Sequence, residues 1–383
     1  PRPTPRTRAT EMATVRIGDV LARLWEVLVR RIDRPLFAIV MAIVGVGFVT
    51  LFSAADQSLA RLGNQAVSLG VALSAMWVIA NVPPQTLSRV ALPLYAAGVV
   101  MLVGVALFGV VVNGSRRWLD LGVVRFQPSE LMKIALPLML AWYFQKREGR
   151  ITWADFVLAA LLIAVPAWLV KRQPDLGTGL LLTASGFYVL FLAGLSWKVI
   201  VGLAAIGAAA GPTIWSHLHD YQRARILTFL DPSTDPLGAG YHTTQASIAI
   251  GSGGVVGKGW LNGTQAHLDF LPEKHTDFIF AVFGEEFGLI GNVLLVVLYV
   301  VLIARAMMIA SNASTLFARL IAGAVTLMLF TYAFVNMGMV SGILPVVGVP
   351  LPFVSYGGTA MVSLFIGIGI LMSVQAHRKL VTT

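Results

Sequence analysis

The sequence predicts an all-α polytopic membrane protein of about ten transmembrane helices. Three observations predict it. Of the 383 residues, 57% are hydrophobic and 12% are charged, whereas a soluble domain carries roughly 25% charged residues. Apolar runs of about 17–25 residues, long enough to cross the hydrocarbon as helices, recur along the whole chain. The alternating pattern of a membrane β-barrel is absent, which leaves helices as the spanning element. Cysteine is also absent, which removes disulfides, thiolate nucleophiles and Cys-ligated metals and leaves the redox compartment open.

The N-terminal stretch PRPTPRTRATEM is basic and proline-rich without the apolar centre of a signal peptide, so residues 1–33 read as a tail outside the fold. Arg30, Arg31 and Arg34 stand before the first span, Leu36–Ala54, and put the N-terminus in the cytoplasm by the positive-inside rule. Further spans are read at Asn64–Val82, Val90–Val112, Glu130–Phe144, Phe156–Val170, Thr178–Leu195, Val199–Trp215, Phe278–Ala304, Leu320–Val340 and Thr359–Ala376. An even count makes the C-terminal tail, residues 379–383, cytoplasmic too and bounds the transmembrane domain at 34–378. The basic turn Gln145–Arg150 and the Arg305–Arg319 loop fall inside, as the rule expects.

The same arithmetic places Asn113–Ser129, Lys171–Gly179, the long segment 217–276 and Ser341–Gly358 outside. Arg116, Arg117, Arg125, Lys171 and Arg172 then lie on the side that the orientation bias disfavours. They either snorkel toward lipid phosphates or hold an anionic ligand, phosphate or diphosphate, through charge-assisted hydrogen bonds. The net charge of +10 is scattered over loops on both sides, which argues against a nucleic-acid groove. Segment 217–276, with its glycine-rich GSGGVVGKG, is too short to build a large core of its own. It is expected to fold back on the membrane domain as short interfacial helices and turns between the seventh and eighth spans.

Acids in apolar surroundings are the candidate chemistry, because a charge at the bilayer centre costs at least ~2.5–3.5 kcal/mol. Asp231 and Asp235 flank prolines and read as turn formers. Asp120 lies beside Arg116 and Arg117 and would orient them. Asp175, in QPDLGTG, either caps the sixth span or contacts a ligand. Glu130 and Lys133, three apart in PSELMK, share a helix face and form either a structural ion pair or part of the chemistry.

FLPEKHTDFIFAVFGEEFGLIG, Phe270–Gly291, carries Glu273, Asp277, Glu285 and Glu286. Asp277 falls where the long loop becomes the eighth span, behind His275 and Thr276. A cap by Thr276 with Asp277 in the first turn is one reading, catalysis by Asp277 the other. Glu285 and Glu286 lie roughly 12 Å deeper at 1.5 Å per residue. At 100° per residue Glu285 is about 80° off the face of Asp277, and Glu286 is about opposite. A retaining pair of sugar-cleaving carboxyls needs about 5–5.5 Å, out of reach along one helix, so a single base at the membrane surface is the simpler proposal. Glu285 and Glu286 then read as interhelical contacts or mouth-lining groups. No cluster of metal-ligand spacing stands out.

The motifs NGSRRWLDLG, QPSELMK, RQPDLGTG, YHTTQASIAIGSGGVVGKGWLNGTQ, FLPEKHTDFIFAVFGEEFGLIG and GVPLPFVSYGG, in this order, resemble the SEDS family (shape, elongation, division, sporulation) over nearly the whole chain. The resemblance implies a ten-helix peptidoglycan glycosyltransferase in the bacterial cytoplasmic (inner) membrane. Such an enzyme polymerises lipid II onto a nascent glycan strand at the outer face during elongation of rod-shaped cells. It implies a class B penicillin-binding protein as transpeptidase partner, beside other elongation-complex membrane proteins and the surrounding lipids. The essential acid of the family's HTDF motif maps onto Asp277, the cavity pair onto Glu130 and Lys133, and the SRRW loop onto Arg116, Arg117 and Trp118; the sequence departs from the family pattern at none of these positions.

Asp277 would then deprotonate an acceptor sugar hydroxyl, and Arg116, Arg117, Lys171, Arg172 or a divalent cation such as Mg or Mn would stabilise the departing undecaprenyl diphosphate. Asp175, His275 and Glu285 would support the site. The competing reading is a flippase for a lipid-linked precursor, because VSGILPVVGVPLPFVSYGG has the glycine and proline interruptions of a broken transporter helix. A purely structural scaffold is a third.

Overall fold

The computed structural model describes residues 31–112, 115–120, 125–173, 175–218, 220–231, 238–268, 270–271 and 273–378. The architecture is helical. In order come α1 (Arg34–Ala54), α2 (Leu59–Asn81) and α3 (Pro84–Phe108), then a small antiparallel sheet of β1 (Val110–Val112), β2 (Ser115–Asp120) and β3 (Arg125–Phe126). They are followed by α4 (Pro128–Lys146), α5 (Trp153–Lys171), α6 (Leu176–Leu192), α7 (Trp197–Ala209) and α8 (Gly211–His217). The segment before the next long helix holds α9 (Asp220–Leu230), α10 (Ala239–Ser252) and α11 (Thr264–His267). Then come α12 (Ile279–Ser311), α13 (Leu316–Val340) and α14 (Gly358–Ala376).

Seven of these helices are long and apolar enough to cross a membrane: α1, α2, α3, α5, α12, α13 and α14. The pair α7 and α8 passes as an eighth only if taken together across a 51° bend. Pro212, in the first turn of α8, favours a restart there over an unbroken helix from 199 to 215. The third span stops at Phe108 rather than Val112, because the β-branched run Val110–Val112 pairs with β2 instead (Val110 opposite Trp118, Val111 opposite Arg116). The core where the helices meet is apolar, with Phe144, Phe317 and Phe365 fully buried on α4, α13 and α14.

The long segment folds back as expected. Ala246 and Ala249 of α10 are buried, and His242 of α10 stacks on Phe278 at 5.8 Å between ring centroids. The glycine-rich GSGGVVGKG does more than connect. Gly288 takes φ 63°, ψ −161° and breaks α12. In an unbroken helix the carbonyls of Glu285 and Glu286 would accept from Leu289 and Ile290. Here they accept from the Lys258 and Gly259 amides at 3.0 Å each, while Leu289 N and Ile290 N donate to Gly254 O (2.9 Å) and Val255 O (3.1 Å).

The strap is thus inserted into the helix ladder and satisfies every backbone group freed at those two steps, as an apolar environment requires. It comes so close that a Cβ on Gly257, at φ 83°, would lie 2.1 Å from the Glu286 carbonyl. Glu285 locks the arrangement: its Oε1 accepts from Lys258 Nζ at 2.7 Å, Thr264 N at 2.8 Å and Gln265 N at 3.0 Å. Glu286, equally buried, accepts from the hydroxyl of Ser53 on α1.

Candidate active site

Asp277 stands two residues before α12, outside its first turn, and the cap reading does not hold. The N-cap position is Phe278, no side chain caps the helix, and the Thr276 hydroxyl turns back to the Glu273 carboxylate at 2.9 Å. The Asp277 carboxyl is half-buried and receives no hydrogen bond among the described residues; burial first, and the negative charge of Glu273 second, push its pKa up to about 6. His275 is held below its ordinary pKa, chiefly by burial and next by the Arg61 charge, and packs edge-on against Tyr356 at 6.0 Å. It is therefore neutral at neutral pH.

The loop between α13 and α14 joins this acid to a cation. Gly348, at φ 73°, lies against Asp277, its would-be Cβ 3.3 Å from Oδ2. The neighbouring Val347 carbonyl touches Gly177 in the first turn of α6, 2.5 Å from where a Cβ would sit. That turn is capped by Asp175, whose Oδ1 accepts from Thr178 N at 3.0 Å. Its other oxygen lies 3.6 Å from Arg117 Nε. The cap reading of Asp175 is met by one oxygen, and the other faces Arg117. Trp118 is half-buried on β2; the side chains of Arg116 and Asp120 lie outside the described residues.

Glu130 and Lys133 form the expected buried pair, 2.7 Å apart. Glu130 also accepts from Ser363 Oγ at 2.8 Å, and the Lys133 ammonium lies 5.3 Å from the Tyr332 ring centre. Both charges are matched, as their place inside the bundle demands. Beside them a groove of about 440 Å³ runs between α2, α4 and α14, walled by Val67, Leu131, Val362 and Ile366, with Glu130 and Ser68 as polar points. Lys171 is exposed at the end of α5, and Arg172 stacks 4.0 Å over the exposed ring of Trp168. Both are exposed on the helix surface, where the snorkelling reading fits. Glu285 is likewise spent on the strap.

Among the described residues no three His, Asp or Glu side chains converge as a metal site. Sequence reasoning missed Asn336 and Ser355, which hold the backbone around Asp277. The signal was available in part, since Asn336 is the lone side-chain amide of an apolar span and a buried amide needs partners.

The model of the cell cycle protein family FtsW/RodA/SpoVE matches residues 33–380. Among curated proteins, the peptidoglycan glycosyltransferase MrdB of Escherichia coli K12 is 49% identical over 92% of this chain and 95% of its own length. Its counterpart from Helicobacter pylori J99 is 36% identical over 89% of each. Among solved structures, one chain of a peptidoglycan synthase complex that coordinates polymerization and crosslinking superposes with TM-score 0.80 at 35% identity, over 91% of this chain and 98% of that one. The crystal structure of Thermus thermophilus rod shape determining protein RodA gives 0.68 at 33% identity, over 90% and 97%. The bundle, the matching family model and relatives covering nearly the whole chain agree: this bacterial membrane protein belongs to the FtsW/RodA/SpoVE family, the SEDS proteins.

Proposed function

We propose that the chain polymerises lipid II into glycan strands at the outer face of the cytoplasmic membrane, with Asp277 as general base. The chain is a peptidoglycan glycosyltransferase, as are its relatives at up to 49% identity. The observation that carries the mechanism is the Asp277 carboxyl itself, half-buried, free of donors among the described residues and poised near pH 6. A carboxylate whose lone pairs are not committed can accept a proton. One committed to a cap or an ion pair would be a weaker base.

In the proposed step the acceptor hydroxyl oxygen attacks the anomeric carbon of the donor from the face opposite the diphosphate, inverting it. The bond from that carbon to the diphosphate oxygen breaks, the hydroxyl proton passes to Asp277, and undecaprenyl diphosphate leaves with the electron pair. Arg117, oriented by Asp175, faces the developing negative charge. The groove beside Glu130 has the apolar walls an isoprenoid tail needs. The described residues offer a divalent cation such as Mg or Mn no cage of their own, so one would enter with the diphosphate that chelates it.

In this reading α4, α6 and the bent pair α7–α8 complete ten spans. Both termini are cytoplasmic, segment 217–276 lies outside, and a class B penicillin-binding protein supplies crosslinking. A flippase reading calls on the interrupted stretch 340–358, whose Tyr356 N and Ser355 Oγ are here committed to the His275 and Thr276 carbonyls just before Asp277.

The test is the chain reconstituted with its penicillin-binding partner and fluorescent lipid II, glycan being read on a gel. Asp277→Asn is expected to form glycan at least ~100-fold more slowly, and lipid II crossing the bilayer without glycan product would support the flippase instead. Because the base acts only when ionised, polymerisation should fall as pH drops through about 6, and a rate flat from pH 8 to pH 5 would remove Asp277 from that role. Arg117→Ala should weaken lipid II binding about tenfold, since a charge-assisted hydrogen bond is worth ~1.5–3 kcal/mol; unchanged affinity would return Arg117 to lipid snorkelling.

A further inference from the structure

Three successive backbone carbonyls carry the run into α12, and each takes one hydrogen bond from α13 or from the loop between α13 and α14. Tyr356 N donates to His275 O at 2.9 Å, Ser355 Oγ to Thr276 O at 2.7 Å, and Asn336 Nδ2 to Asp277 O at 2.8 Å. The same Asn336 nitrogen donates to Val349 O at 2.7 Å, next to the Gly348 that touches the Asp277 carboxylate. Ser355 is itself tied down: its Oγ accepts from Leu351 N at 2.8 Å, and its carbonyl from Gln65 Nε2 of α2 at 3.3 Å. Asn336 is fully buried on α13, with its Oδ1 unpartnered. An amide with one vacant acceptor is a costly guest in an apolar helix. Leucine would fill the same space without that cost.

We propose that Asn336 and Ser355 are positioning residues, a clamp that fixes the Asp277 backbone against the Val347–Gly348 turn and so sets the base in register with the Arg117–Asp175 pair. The inference rests on Asp277 acting as base. The clamp binds backbone and leaves the carboxylate free, so it governs where the acid stands without touching substrate. The turn reaches Gly177 on one side and Asp277 on the other, and one side-chain nitrogen ties the Asp277 carbonyl to that of Val349 just after the turn. A displacement of the order of 1 Å at a reacting group can cost about 100-fold in rate.

The experiment compares Asn336→Leu, Ser355→Ala and Ser355→Thr with the parent and with Asp277→Asn, in the full chain with its penicillin-binding partner. kcat and KM for lipid II are measured separately, along with the pH profile of kcat. Asn336→Leu is expected to lower kcat at least tenfold with KM within about twofold, and to move the acid limb to lower pH as water reaches the loosened carboxyl. Ser355→Ala should do the same more weakly, and Ser355→Thr, which keeps the donor, should restore the rate. A residue that merely stabilises the fold would lower Tm and leave kcat and the acid limb of the folded protein in place; that result overturns the clamp. Should Asn336→Leu fail to fold, the Ser355 pair decides, and equal rates for Ala and Thr overturn the proposal. Inactive Asp277→Asn beside a fully active Asn336→Leu refutes the clamp alone, whereas active Asp277→Asn refutes the base on which it rests.

Discussion

Glu285→Ala is expected to lose about 3–5 kcal/mol of stability, the range for removing one partner of a buried ion pair. Glu285 is fully buried and 2.7 Å from Lys258, which is partly exposed. Its removal also leaves the amides of Thr264 and Gln265 without their acceptor. The strap they anchor supplies the four hydrogen bonds that close the ladder at Gly288, so the loss spreads into α12. Thermal unfolding of the detergent-solubilised protein checks it. A Tm within a degree or two of the parent would mean that the strap holds without its anchor. Glu285→Gln keeps an acceptor and the shape and should fall between the two.

The second large effect is on rate. Asp277→Asn keeps volume and hydrogen-bonding shape and removes only the capacity to take a proton, so a loss of about 10²–10⁴-fold in kcat is expected. The same substitution should stabilise the protein at pH 8. A carboxyl whose folded pKa is raised to about 6 contributes stability in full below its unfolded value near 3.9 and loses it as pH rises through 6. At pH 8 the parent therefore carries a half-buried charge that the amide does not. Faster catalysis and lower stability at one residue is the expected mark of a working group.

Much of this was legible in the sequence because lipid imposes strong rules. Apolar run length located the seven helices long enough to span, with ends off by up to seven residues, and intramembrane charge cost paired Glu130 with Lys133 before any geometry was known. Local residue chemistry offered the Asp175 cap as one of two readings and pointed to the folding back of segment 217–276. What failed to show has a common cause: backbone groups serving distant backbone groups leave no side-chain pattern. The break at Gly288 is hidden because that glycine is one of three in GEEFGLIG, and its partner strap lies some thirty residues earlier as what reads like a plain glycine-rich turn. The same holds for the clamp, where Ser355 and Tyr356 reach His275 and Thr276 from about 80 residues away. Glu285 and Glu286, two neighbouring acids of equal appearance, are separated only by what lies across from each, Lys258 for one and Ser53 for the other. The basic loops expected outside divide for a similar reason: Arg117 has an acid waiting at the start of α6, whereas Arg172 has the Trp168 ring of the helix just before it.

The most direct measurement is a side-by-side determination of lipid II affinity and glycan formation for the parent and Asp277→Asn, each with its penicillin-binding partner. Polymerisation lost with affinity unchanged is the expected result. Glycan formed by Asp277→Asn at a rate near the parent's would contradict a base at residue 277.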